Sequence, residues 1–251
     1  MVKVTESLLK ETFPNTFLDS VACEVRFNTD LTIKEKIIKF QNIIKDTFPT
    51  YIESLSIPIG FPSTVEKTNI MNYIFKNEDI DTEVYLNTFS IFGIRTNNYS
   101  NYDDFSKLFL KILKEFIKLC NISHFTRLGL RYINVIPLDK DRIKANDLKK
   151  KYFYSFLKEN FEKNDFESQH LSLKYYEKKY EIHQQFIFRK SKNKIYEVII
   201  DIDNSLKNKI NISEDKELRK FQNIINELHA LIKIKFFETI TESFLKRLRE
   251  D

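Results

Sequence analysis

The amino-acid sequence predicts an α+β fold, with mainly antiparallel sheet, helices on one side and a long C-terminal helix. Three observations predict it. Several segments alternate apolar and polar residues with a period of two, as half-buried strands do. Three longer segments repeat apolar residues at the helical period. Short polar turns between strand-like segments join antiparallel neighbours.

The densest strand signal is Arg127-Leu128-Gly129-Leu130-Arg131-Tyr132-Ile133-Asn134. Alternation puts Leu128, Leu130, Tyr132 and Asn134 on one face and Arg127, Gly129, Arg131 and Ile133 on the other. This stretch is expected to be a central strand. Before it, residues 20–28 read as a strand with Val21, Cys23, Val25 and Phe27 on one face. Asp30 or Thr32 can cap a helix through about residue 46, striped by Ile33, Ile37, Phe40 and Ile44. Pro49 closes it. Residues 51–57 are a second strand, and residues 69–75 and 83–94 an antiparallel pair around Asn77-Glu78-Asp79. Asp103 or Asp104 then starts a helix whose buried face is Phe105, Leu108, Phe109, Ile112, Leu113, Phe116 and Cys120.

After Pro137 come short helices over residues 143–161 and strands at 171–180, 181–189 and 194–203, with a turn near Lys178 and Lys179 and a hairpin tip at Lys190-Ser191-Lys192-Asn193. Ser213 caps the last helix, with Glu214, Asp215 and Glu217 in its first turn. Its stripe runs from Phe221 to Leu248 without Gly or Pro, about 55 Å if unbroken. That length implies a kink, wrapping round the core, or a homodimer contact. Residues 1–137 and 138–251 share a β-β-β-α plan. They are expected to be an N-terminal and a C-terminal α+β half, as diverged repeats or within one continuous domain.

The chain has 251 residues, 31% charged and 42% apolar, which is a globular balance. Its two cysteines, Cys23 and Cys120, sit in apolar segments and read as buried thiols. No segment approaches the roughly 20 apolar residues that span a bilayer, and a cytoplasmic location without membrane contact is expected. Residues 140–194 hold 15 Lys and Arg against 8 Asp and Glu, more than the whole chain's net +5. A local basic surface follows from that excess.

Four sets of polar residues are candidates for function. Glu197, Asp201 and Asp203 share one face of the late strand, where they either hold Mg²⁺ or pair with Arg127, Arg131 or Arg26. Arg26 and Arg131 need a carboxylate or an anionic ligand, with Glu24 and the Asp pair as the obvious partners. The run Lys149-Lys150-Lys151-Tyr152-Phe153-Tyr154, with Lys174 to Tyr180 and Arg189 to Lys194, could track a nucleic-acid backbone and stack bases. His124, His170, His183 and His229 show no metal spacing, and each reads as a surface or capping residue. Ser123 and His124 are expected to point to opposite faces. With 3 glycines no phosphate loop of the usual form can be built, and no cofactor or metal is expected.

Four pieces in order, Cys23-Glu24-Val25-Arg26-Phe27, Leu130-Arg131-Tyr132-Ile133-Asn134, Ile200-Asp201-Ile202-Asp203 and the helix from Leu228-His229 through Phe236 to Ile240-Thr241, resemble a sporadically distributed prokaryotic family of conserved unknown function. The chain departs from it in lacking Trp and in its extra lysines. The resemblance carries no activity over. It implies a phage-defence or toxin–antitoxin setting, since patchily inherited families often neighbour such genes. The preferred expectation is a non-enzymatic accessory or antitoxin-like component that binds a protein partner, with Glu24, Arg26, Arg127, Arg131, Asn134, Asp201, Asp203, Lys149, Lys150 and Lys151 as the binding residues. The alternative is a nucleic-acid or nucleotide-binding protein, as a metal-dependent nuclease using Asp201 and Asp203.

Overall fold

A computed structural model describes residues 2–14, 16–30, 32–56, 70–87, 90–138, 168–190, 196–212 and 215–250. In chain order the described elements are α1 (Glu6–Lys10), β1 (Leu18–Arg26), α2 (Ile33–Ile44), β2 (Thr50–Ser56), β3 (Ile70–Asn77), β4 (Thr82–Asn87), β5 (Ile91–Thr96), α3 (Tyr102–Cys120), β6 (His124–Phe125), β7 (Arg127–Pro137), β8 (Ser168–Glu177), β9 (Tyr180–Lys190), β10 (Tyr196–Leu206), β11 (Ile210–Asn211), α4 (Asp215–Thr239) and α5 (Glu242–Arg249). Nine strands make one mostly antiparallel sheet in the order β2-β3-β4-β5-β1-β7-β10-β9-β8, and β11 pairs with β6. The α+β class and the antiparallel sheet agree with the sequence reading. The expected helices over residues 143–161 and the hairpin tip at residues 191–193 lie outside the described residues.

The chain forms two compact units. The first comprises Met1–Asp19, Arg131–Asn204 and Glu227–Asp251, and the second Ser20–Leu130 and Ser205–Asn226.

The second unit has a phenylalanine core. Helix α2 buries Ile33, Ile37, Phe40 and Ile44, and α3 buries Phe105, Phe109, Ile112, Leu113, Phe116 and Cys120. These stripes meet one sheet face, from which Val21, Cys23, Val25, Phe75, Val84, Phe92 and Ile94 project. The Phe40 ring stands edge-on to Phe75 at 5.4 Å and to Phe116 at 5.8 Å, and Phe92 stacks on Phe116 at 4.5 Å. Such rings add packing geometry to the apolar area they bury. Helix α3 is capped by Asn101, whose Oδ1 accepts from Asp104 N at 2.9 Å, rather than by Asp103 or Asp104. It ends on Asn121 in the left-handed region, φ 55°.

The strand expected over residues 83–94 is two strands. Val84 pairs with Ile94 and Asn87 with Ile91. The Asn87 Oδ1 accepts from Ile91 N at 3.2 Å, and Ser90 takes φ 121°. No Gly or Pro marks this turn, so the periodic pattern runs through it.

In the first unit β8 and β9 are a regular hairpin joined by Lys178 and Lys179, the turn the sequence predicts. The C-terminal helical segment is two helices. Thr241 starts α5 by accepting from Phe244 N at 3.3 Å, while the Thr239 hydroxyl bonds back to Lys235 O at 2.7 Å. Of the predicted stripe Leu228, Leu231, Ile232, Ile240, Phe244 and Leu248 are buried, whereas the half-buried Phe236 yields its place in the core to Phe237, and Leu245 is buried as well. The start of the chain lies against these helices. Glu11 takes both Arg249 nitrogens at 2.5 and 2.7 Å, Phe13 meets Phe237, Phe17 meets Phe244, and the Lys233 ammonium donates to Leu9 O.

Lys178 sits at φ 55°, where a Cβ crowds the backbone. Lys178→Gly should therefore stabilise the fold by about 1 kcal/mol, raising the melting temperature by about 2–4 °C in a thermal denaturation scan.

Candidate functional site: the charged face of the sheet

Strand alternation sends one set of side chains from β1, β7 and β10 toward the helices and the other set to the opposite face. Val21, Cys23, Val25, Leu128, Leu130, Val198, Ile200 and Ile202 are fully buried on the helix side. The opposite face carries the candidate charges.

In the first unit, β7 supplies Arg131, β10 supplies Asp201 and β9 supplies Gln185. Arg131 Nε donates to Asp201 Oδ1 at 2.8 Å and its Nη2 to Oδ2 at 2.6 Å. Gln185 Nε2 donates to the same Oδ2 at 3.3 Å. This is a two-pronged guanidinium–carboxylate pair, with both oxygens of Asp201 occupied. The Asp201 side chain is 5% exposed and that of Arg131 45%. Four residues earlier on β10, Glu197 accepts from Arg189 Nε. Asp203 follows Asp201 on the same face of β10 by alternation. Asn134 belongs to the other face, buried, with Nδ2 3.4 Å from Ile200 O.

In the second unit the same face holds a carboxylate between two arginines. Glu24 Oε1 accepts from Arg26 Nε at 3.0 Å and from Arg127 Nη1 at 3.0 Å. Arg127 reaches it by lying across Gly129, where a Cβ would collide with the guanidinium. The next glycine works alike. Gly93 pairs with Tyr85, and the Tyr85 ring covers it. Burial, followed by the Glu24 charge, pushes the Tyr85 phenol up from its ordinary range. Arg95 Nη2 meets Glu83 Oε1 at 2.8 Å on the same side.

The sequence reading identified Arg131, Asp201, Glu24, Arg26 and Arg127, and the structure pairs them as Arg131 with Asp201 and Glu24 with both Arg26 and Arg127. It missed Gln185 and the purpose of Gly129. A glycine inside a strand with an arginine two residues before it is the signal for Gly129, because it permits close approach. Lys149, Lys150 and Lys151 lie outside the described residues. Along β8 and β9, Lys174 meets Glu181 at 3.3 Å, Lys179 meets Glu227 at 3.1 Å, and Tyr176 donates to Glu181 at 3.0 Å.

Ser123 and His124 differ from expectation. Ser123 precedes the two-residue strand β6, so alternation does not separate them, and its Oγ lies 3.1 Å from His124 Nδ1. His229 differs too. It packs on Tyr132, whose hydroxyl lies 2.9 Å from Nδ1, on the helix side of the first unit. Burial, helped by the Lys233 charge, lowers the His229 pKa to about 4. Among the described residues no group of three or more His, Cys, Asp or Glu is placed to hold a metal ion.

Two outcomes follow. Arg131→Ala should destabilise more than Asp201→Ala in urea unfolding. The first strands a buried carboxylate, at about 3 kcal/mol or more, whereas the second leaves a half-exposed guanidinium that can turn to water. His229 is held neutral in the fold and protonates near pH 6.5 when unfolded, so the unfolded state binds the extra proton between those values. Stability should be full above pH 6.5, fall as pH drops toward 4, and lose about 2–3 kcal/mol by then. His229→Gln should flatten that part of the stability–pH curve.

No protein-family model and no curated protein matches this chain, so its residues alone carry the functional reading.

Proposed function

We propose that this chain is a non-enzymatic protein-binding component, an accessory or antitoxin-like partner within a prokaryotic phage-defence or toxin–antitoxin module. The setting rests on the resemblance of its strand and helix motifs. The mode of action rests on one observation: on the charged face Asp201, Glu197 and Glu24 are already engaged by arginines of the same chain. Asp201 gives one oxygen to Arg131 Nε and the other to Arg131 Nη2 and Gln185. A divalent ion there would first have to displace a two-pronged guanidinium from a buried carboxylate. The same holds for Glu24 between Arg26 and Arg127. These charges orient and lock strands, which is a different task from metal-assisted hydrolysis.

Support for a protein partner comes from exposed aliphatic surface in the second unit. Ile38 on α2 is 71% exposed and Leu55 on β2 62%, with Ile43 and Ile52 also open to solvent. Covering such side chains is favourable by about 25 cal/mol per Å² of apolar area.

The second reading is nucleic-acid binding, as a nuclease or otherwise, along the β8–β9 hairpin. It is favoured by the Tyr176 ring, 71% exposed among lysines. Lys174 and Lys179 there are paired with Glu181 and Glu227, which weakens their pull on phosphates.

The test compares affinity capture from the native host by the wild-type chain and by a Leu55→Glu variant. One partner retained by the first and lost by the second is the expected result. Capture unchanged by the variant would remove the proposed surface. Tight binding of labelled RNA or DNA at low salt, with a steep salt slope, would replace this reading with the second.

A further inference from the structure

β8 ends the sheet order, with β9 as its strand neighbour among the described residues. It is ten residues long and pairs with β9 at every position from Ser168 to Glu177, without a bulge. It contains no proline or glycine. Proteins usually blunt such an edge with a bulge, a proline or an outward lysine, because its outer amides and carbonyls can template another strand. The strand's single lysine, Lys174, is turned back onto Glu181 of its own hairpin at 3.3 Å.

The hairpin turn settles which backbone groups point outward. A two-residue turn at Lys178 and Lys179 makes Glu177 and Tyr180 the closing hydrogen-bonded pair. Alternation then aims the amides and carbonyls of Glu177, Tyr175, Leu173, Leu171 and Gln169 at β9. Those of Tyr176, Lys174, Ser172, His170 and Ser168 point away from it.

We propose that β8 pairs antiparallel with β8 of a second copy of this chain, about a twofold axis through Leu173. The sequence of the strand is self-complementary under that operation. Leu173 faces its own copy, Leu171 faces Tyr175, Ser172 faces Lys174, His170 faces Tyr176, and Gln169 faces Glu177. No two like charges oppose each other. Leu171, Leu173 and Tyr175 are half-buried on one face of the strand, and the pairing runs their apolar stripe into the copy's stripe. The opposite terminal strand lacks this property: turning β2 about its middle residue would set Glu53 against itself. A homodimer expected from the long C-terminal helix is thereby moved to the sheet edge, since the stripe of that helix is buried within the chain.

Light scattering after size exclusion should give the mass of two chains over a dilution series. His170→Pro removes an outward amide and leaves the amides facing β9 untouched, so it should give one chain, with its far-UV circular dichroism unchanged. Leu173→Cys supplies a readout that does not depend on that variant folding. Residues facing each other in a non-hydrogen-bonded antiparallel pair have Cα atoms about 4.5 Å apart, within disulfide reach. Mild oxidation should therefore link two Leu173→Cys chains. The wild type should stay unlinked, its Cys23 and Cys120 being buried. A wild type that is one chain throughout, or a dimer that survives His170→Pro without linking through Leu173→Cys, would overturn the proposal.

Discussion

A carboxylate taken out of water must be answered by opposite charge, and Asp201 is answered by Arg131 with Gln185 behind it. That requirement organises the first unit. It ties β7 to β9 and β10, which come dozens of residues later in the chain. It also puts the guanidinium on the outer face, so that the other face of β7 can be given wholly to Tyr132, Asn134 and Ile136 under the helices. The same rule governs Glu24 in the second unit, where Arg127 approaches only because Gly129 has no side chain. In each unit these ion pairs lie on one face of the strands and the packed interior on the other.

The two interiors are built differently. That of the second unit is aromatic, with Phe40, Phe75, Phe92, Phe109 and Phe116 in mutual contact. It rests on ring packing. The first unit admits polar groups beneath its helices. Tyr132 meets His229, Tyr175 donates to Gln184 at 2.7 Å, and Lys235 is buried between Glu177 and Glu238. Burial opposes the charge on Lys235, but those two carboxylates outweigh it and raise its pKa. Asn204 is fully buried, with neither amide atom paired among the described residues. The unit also depends on the far ends of the chain, through Glu11 and Arg249. Glu11 is correspondingly held below the usual carboxylate range by its bond to that arginine. Contacts of such long sequence separation slow folding, because the loop between them must close first.

Much of this could be read from residue order. The period-two pattern of β1, β7, β9 and β10 and the helical stripes of α2 and α3 are local, and local periodicity is a property of the chain itself. So was the placing of Arg131 and Asp201 on the charged faces of their strands. The turn between β4 and β5 was not legible, because Asn87 and Ser90 make it without a glycine or proline. The break between α4 and α5 was hidden for a related reason. Thr239 and Thr241 act through backbone bonds that no apolar pattern records. His229 looked like a surface histidine, since nothing near it in sequence announces Tyr132.

The sequence by itself determined the class of the fold, the inward face of most strands and helices, and which arginines and carboxylates had to find partners. Those follow from periodicity and from the cost of unpaired buried charge, both of which act on any chain with these residues. Only the tertiary structure decided who the partners are: Asp201 for Arg131, but Glu24 for Arg127. Strand order and register set those distances, and they depend on pairings between segments dozens of residues apart.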